Sequence, residues 1–173
     1  ASGTHMATSA ASSCRQCSTG YFANSTATLD CSGCAPGSHQ DYGRDSSLPR
    51  DLTTVLGLAM TFGKSSCKDC GLGRFTPSNR QEFCAPCETG RFTHLLGKTV
   101  CTKCGAGFAQ GSTGQSECGG CAPGRYMRSP GQAVCFECEA GRFFDGQEAT
   151  VCKKCAVMFS TNDKTSRPTC DEC

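Results

Sequence analysis

Large apolar side chains recur along this chain singly or in twos, each just behind a glycine: Gly20-Tyr21-Phe22, Gly73-Arg74-Phe75, Gly90-Arg91-Phe92, Gly107-Phe108, Gly124-Arg125-Tyr126 and Gly141-Arg142-Phe143. A glycine free to take positive φ, followed by an aromatic, predicts a turn and then an outgoing strand. A second glycine, Gly97, Gly114 or Gly131, stands four residues before a cysteine and predicts a second turn. Each interval therefore reads as a small hairpin-like loop, with the aromatic laid over a neighbouring disulfide as a minimal hydrophobic layer. No amphipathic helices alternate with strands.

Every cysteine belongs to a C-x-x-C pair: Cys14/Cys17, Cys31/Cys34, Cys67/Cys70, Cys84/Cys87, Cys101/Cys104, Cys118/Cys121, Cys135/Cys138, Cys152/Cys155 and Cys170/Cys173. First cysteines recur every 17 residues from Cys67 to Cys152, after one gap of 36 and before one of 18. A near-fixed period of this kind is the signature of a repeat architecture. The extra chain, residues 35–66, has a polar, turn-rich first half from Gly37 to Asp51. In its second half Leu52, Val55, Leu56, Ala59 and Met60 fall at helical spacing, with Ser47 or Asp51 able to cap the start and Gly63 to end it. That spacing predicts a short helix, although Gly57 lies inside it and a two-strand excursion is the alternative. The apolar face of Leu52, Val55, Leu56 and Met60 would pack on the Phe75 module or meet a partner.

Composition changes the picture from burial to crosslinking. The chain has no Ile or Trp, eight Leu, five Val and ten Phe in 173 residues, too little apolar bulk for a core of ordinary size. Eighteen cysteines supply the missing constraint, since crosslinks lower the entropy of the unfolded chain, and such usage implies an oxidising compartment. The net charge is +2, with 17 basic and 15 acidic residues, and nothing favours nucleic acid or an anionic membrane as partner. The longest apolar segment, Val55 to Phe62, is far short of a membrane span, so direct membrane insertion is not expected. Residues 1–6 read as a vector remnant and 7–13 as a linker, and the ends look chosen inside a longer protein.

The pattern C-x-x-C-x-x-G-x-[FY], with another C-x-x-C about nine residues on, resembles the ephrin-receptor-like cysteine-rich repeat, a relative of the tumour-necrosis-factor-receptor modules. Arg in the Gly-Arg-aromatic triplets departs from the small hydroxyl residue usual there, and Ala35-Pro36-Gly37-Ser38-His39 and Ala156-Val157-Met158-Phe159 lack the full motif. The resemblance implies a small disulfide-rich fold, mostly irregular with short β-hairpins, forming an elongated tandem-repeat rod in which each unit touches only its neighbours. It also implies bonds between the first and third and the second and fourth cysteines of successive pairs. Carried over, these are Cys14–Cys31 with Cys17–Cys34, Cys67–Cys84 with Cys70–Cys87, Cys101–Cys118 with Cys104–Cys121, and Cys135–Cys152 with Cys138–Cys155. The modules would span 14–34, 67–87, 101–121 and 135–155, with a truncated fifth at 170–173. The insertion would then fall between crosslinked loops. A competing ladder, joining each second cysteine to the next first one, would leave Cys14 and Cys173 single, and sequence alone does not choose.

Zinc is the chemical rival, because two C-x-x-C pairs can furnish four thiolates. The 13-residue spacer, just under the usual length, and the odd count of pairs weigh against it, so neither a metal nor another cofactor is expected. A thioredoxin-like role lacks its βαβ context. The stretch Gly57 to Ser65 has five residues between its glycines where a phosphate-binding loop has four. His39 and His94 are isolated, no catalytic constellation is visible, and the chain reads as no enzyme. Arg74, Arg91, Arg125 and Arg142 could form a stripe for an acidic partner, or lie solvated or stacked on adjacent rings. Asn24-Ser25-Thr26 is an N-glycosylation sequon. The expectation is an extracellular or cell-surface spacer, stalk or assembly module whose partners are other protein chains or neighbouring domains. A ligand-binding receptor ectodomain and an intracellular zinc-ribbon scaffold are the alternatives.

Overall fold

The computed structural model describes residues 4–6, 14–25, 30–40, 66–162 and 164–172. Its frame is a ladder of eight disulfides, each joining the second cysteine of one pair to the first of the next. They are Cys17–Cys31, Cys34–Cys67, Cys70–Cys84, Cys87–Cys101, Cys104–Cys118, Cys121–Cys135, Cys138–Cys152 and Cys155–Cys170. These bonds close eight hairpins, numbered 1 to 8 in that order. The modular pairing is thereby overturned: Cys31 bonds Cys17 and not Cys14, Cys34 bonds Cys67 and not Cys17, and Cys84 and Cys87 bond Cys70 and Cys101. Likewise Cys118, Cys121, Cys152 and Cys155 bond Cys104, Cys135, Cys138 and Cys170, not Cys101, Cys104, Cys135 and Cys138. The side chain of Cys14, and Cys173, lie outside the described residues.

Strand pairing gives the physical reason. The two residues between the cysteines of each pair form the returning strand of the hairpin that precedes them. Arg91–Phe92 pairs with Thr102–Lys103, Arg125–Tyr126 with Phe136–Glu137, and Arg142–Phe143 with Lys153–Lys154, all antiparallel. A C-x-x-C therefore ends one hairpin with its first cysteine and opens the next with its second. The cysteines that come opposite each other, with Cα atoms 5.6–5.8 Å apart, are those of successive pairs in ladder order. Among the described residues every strand belongs to such a two-stranded sheet, including Thr4–Met6 on Cys14–Gln16.

The insertion consequently falls inside a crosslinked loop, not between loops. The Cys34–Cys67 separation is 33 residues against 14 in most hairpins, yet Ser38–His39 and Lys68–Asp69 pair as their counterparts do. Added length in such a loop is cheap in closure entropy. The predicted helix at Leu52 to Met60 lies outside the described residues.

Each hairpin is fixed to the following ones through backbone groups. The turn glycines Gly20, Gly37, Gly73, Gly90, Gly107 and Gly124 have φ of 70–84°. Each donates its N–H to the carbonyl three residues past the next turn glycine, as in Gly90 to Gln110 (2.7 Å) and Gly107 to Met127 (2.7 Å). Each turn glycine carbonyl accepts the N–H of the next opening cysteine, as in Cys104 to Gly90 (2.9 Å). At the far end, the residue four before the closing cysteine donates to the opening cysteine of the preceding hairpin, as in Gly131 to Cys104 (2.8 Å). The contacts reach further than adjacent hairpins. A Cβ on Gly90 would stand 2.2 Å from the carbonyl oxygen of Gly131, two hairpins on, and one on Gly73 would stand 2.0 Å from that of Gly114.

The chain divides into two compact units. One comprises residues 1–71, 75–85 and 96–100, the other 72–74, 86–95 and 101–173. In the first, the far-end residues Arg80 and Gly97 cover Gly20 and Gly37. In the second, the far ends of hairpins 5 to 8 cover Gly73, Gly90, Gly107 and Gly124.

The core is made of sulfur, of Ala149 and of one recurring position that is buried in six of the eight hairpins. Cys34, Cys70, Cys87, Cys104, Cys121 and Cys138 are fully or almost fully buried. So are Ala23, Gln40, Thr76, Thr93, Met127 and Thr161, each three residues beyond the turn. The aromatics expected to form the layer (Tyr21, Phe75, Phe92, Phe108, Tyr126 and Phe143) are only half-buried. The carbonyls of Gln40, Thr76, Thr93 and Met127 each accept the turn-glycine N–H of the preceding hairpin, which holds the backbone there whatever the side chain is.

Candidate functional site

The arginine row is the best-populated of the sequence candidates, and the fold uses its members at home. The Arg91 guanidinium donates to the carbonyl of Cys101 (3.1 Å), and Arg142 donates to that of Cys152 (3.2 Å), each reaching ten residues along to the closing cysteine of its own hairpin. Arg125 pairs with Glu137 directly across its hairpin at 2.8 Å, with both side chains about half exposed. Arg74 is engaged as well. Arg91, Arg125 and Arg142 therefore staple individual hairpins, and two of these guanidiniums serve backbone carbonyls.

Arg142 also lines a shallow cleft of about 260 Å³ together with Tyr126, Arg128, Glu139, Val151 and Cys152. All of these residues belong to hairpins 6 and 7 or to the link between them. The cleft mixes an aromatic ring with charges of both signs.

Apolar side chains missed in the sequence stand directly before the first cysteine of a pair. Phe83, Val100, Val134 and Val151 are 65%, 62%, 63% and 48% exposed. Their regular place is visible in the sequence once the ladder is known, because the hairpin's return turn directs that position outward. The insertion residues Leu52, Val55, Leu56 and Met60 lie outside the described residues. Asn24 is exposed, as a glycan acceptor must be.

His39 has a role that its isolation in sequence concealed. It occupies the second position past the turn glycine, where Phe75, Phe92, Tyr126 and Phe143 stand in other hairpins. Its Nδ1 lies 3.2 Å from Sγ of Cys84, in the disulfide of hairpin 3. His39, Cys70 and Cys84 form a cluster with ligand atoms within 4.8 Å of one another, but two of the three are bonded to each other, leaving His39 alone with a free donor. The sulfurs that a zinc-ribbon scaffold would need are likewise committed to disulfides along the ladder.

No helix among the described residues is long and apolar enough to cross a membrane. Eight disulfides in a chain of this size are typical of extracellular or secreted proteins. No family model matches the chain and no curated protein matches it. On its structure the chain is a cysteine-rich tandem repeat of small disulfide-bonded hairpins.

Proposed function

We propose that this chain is a non-catalytic spacer or stalk in a secreted or cell-surface protein, similar in kind to ephrin-receptor-like repeats. The observation that carries the reading is that each hairpin has its own crosslink and that, among the described residues, its backbone hydrogen bonds to other hairpins go to adjacent ones, with close backbone approaches to those two places away. Such an array needs no central core, can be lengthened without redesign, and depends little on side-chain identity. Glycosylation of Asn24 accords with this reading.

Excision tests it. Deleting residues 104–137 removes hairpins 5 and 6 and joins Cys101-Thr102-Lys103 directly to Cys138, which preserves the C-x-x-C. A spacer folds with six disulfides by intact mass before and after reduction, and its ends move closer by a fixed increment. Failure to recover a single oxidised species would sink the modular reading.

A second reading, a ligand-binding ectodomain, is favoured by the exposed Phe83, Val100, Val134 and Val151, because apolar side chains at one repeated surface position suit a protein partner. Replacing all four with Ser leaves a spacer's solution behaviour unchanged and abolishes binding in a receptor.

A further inference from the structure

The turn glycines mark which steps of the array are occupied. A Cβ built at Gly20, Gly37, Gly73, Gly90, Gly107 or Gly124 would fall 2.0–2.4 Å from a backbone carbonyl oxygen at the far end of the hairpin two places on. At Gly141, in hairpin 7, the same point has nothing within 4 Å. Hairpin 8 carries Met158 where the others carry glycine, at φ 76°, a conformation L-residues avoid. Its side chain is 73% exposed and that of Val157 is 90% exposed. Six cradles are thus filled by backbone, the seventh is open, and the eighth holds a side chain of its own.

Occupied cradles also show what they accept. Where the residue before the opening cysteine carries a side chain, as Asp69, Pro86 and Lys103 do, the facing far-end residue is glycine: Gly97, Gly114 and Gly131. Where the far-end residue is long, as Arg80 and Glu148 are, the facing residue is Gly33 or Gly120, and a Cβ there would meet the Arg80 or Glu148 side chain at 2.6 or 2.8 Å. Ser166 is small, and Glu137 nearby binds Thr165 and Arg125. The seventh cradle has Lys154 at this place. Beside it is the Cys155 carbonyl, in the position where those of Cys104, Cys121 and Cys138 each accept a far-end N–H.

We propose that Gly141, Lys154 and the Cys155 carbonyl form a docking cradle for one further disulfide hairpin of this class, joined in sequence and carrying glycine at its far end, and that Met158 bars a second from following in register. Continuity with the existing interface identifies the occupant, since this face repeats the backbone groups that hold hairpins 6, 7 and 8. An intact second copy is a poor occupant, because its Gly97, Gly114 and Gly131 are already seated on Gly37, Gly73 and Gly90.

The test extends the full chain after Cys173 with a copy of residues 88–121, adding two hairpins with glycine at the far end. Amide hydrogen exchange is then read at the two added far-end glycines, in the parent and in Met158→Gly. The expected result in the parent is at least tenfold slower exchange at the first added glycine and open-turn exchange at the second. In Met158→Gly both become protected. Equal protection of both in the parent overturns the bar at Met158, and open exchange at the first in both chains overturns the cradle. Protection that rises with protein concentration overturns it too, by identifying a second copy as the occupant.

Discussion

Hairpins 2 and 8 both break the repeat, and they break it at opposite ends. Hairpin 2 has its cysteines 33 positions apart in sequence and keeps an ordinary turn, with Gly37 at φ 82° and its N–H bonded to the Thr76 carbonyl at 2.9 Å. Hairpin 8 is nearly of standard length, with a cysteine separation of 15, and has Met158 in place of the turn glycine. The contrast separates two kinds of constraint. Added length between the cysteines of a hairpin costs little in closure entropy and leaves the paired strands beside its turn as they are. The turn end cannot be altered without cost, since each turn glycine serves a donor, an acceptor and a close backbone approach at once.

The largest break in this comparison comes from moving the hairpin 8 change inward. In Gly90→Ala the new Cβ must enter the 2.2 Å gap to the Gly131 carbonyl, at a φ of 74° that is itself strained for alanine. Backbone on both sides cannot yield as a side chain would, so the expected loss is on the order of 3 kcal/mol or more, together with scrambled disulfides. Gly105→Ala is the control: nothing lies within 4 Å of its Cβ, and the expected change is within about 0.5 kcal/mol. Thermal melts and disulfide mapping distinguish the two. Equal effects would mean that the stack is looser than its geometry.

Removing crosslinks sharpens the same contrast from the other end. In the chain-entropy account the 14-residue separation of Cys87–Cys101 contributes about 3 kcal/mol and the 33-residue separation of Cys34–Cys67 about 3.8 kcal/mol. The double variant Cys34→Ala/Cys67→Ala should therefore lose about 0.7 kcal/mol more than Cys87→Ala/Cys101→Ala in denaturant titrations. A reversed order would show that the insertion already restrains its hairpin without the disulfide.

What the sequence made legible follows this division. Turns and outgoing strands at Gly73, Gly90 and Gly124 could be read because glycine and cysteine are there for backbone reasons that few other residues satisfy. The phase of the disulfides could not, because both schemes close loops of similar length and the family resemblance pointed to the other one. The returning strand is the missing information, and dipeptides as unlike as Gly119-Gly120, Ala85-Pro86 and Phe136-Glu137 form it. The buried third position was equally hidden, since Gln40, Thr93 and Met127 share no side-chain property and the constraint acts on their carbonyls. His39 reads as solitary until the hairpin register places it against the Cys84 sulfur. The arginine row was visible, but its local destinations on Cys101 and Cys152 depend on the ladder.

A smaller effect tests whether side-chain identity matters more in hairpin 8 than inside the array. The Gly141 N–H bonds the Thr161 side-chain oxygen at 2.7 Å, whereas its counterpart Gly73 bonds the Thr93 carbonyl at 2.8 Å. The Thr161 carbonyl is held by Lys164, so Thr161→Val leaves the Gly141 N–H without its acceptor, at a cost of about 1–2 kcal/mol. Thr93→Val keeps the backbone bond and should lose about 0.5 kcal/mol, through the local contacts of its hydroxyl with Leu95. Exchange at the Gly141 amide should quicken in Thr161→Val, and that at Gly73 should not change in Thr93→Val. If Gly141 stays protected, the hairpin 8 turn is carried by backbone like the rest.

The smallest expected effects distinguish two arginines at the same repeat position. Arg91 is half-buried and supplies a charged donor to the Cys101 carbonyl, so Arg91→Ala leaves that carbonyl unserved and should cost about 1 kcal/mol. Arg125 pairs with Glu137 in a bridge whose side chains are 45% and 47% exposed, where solvent screening and rotamer ordering offset most of the attraction. Arg125→Ala should therefore cost no more than about 0.5 kcal/mol at low salt and less as salt rises, while the Arg91→Ala loss should be nearly independent of salt. Melting both variants at low and high ionic strength reads the difference. A salt-dependent loss at Arg91 would mean that its guanidinium answers to charge and not to the cysteine carbonyl, and the row would then belong to the surface facing a partner.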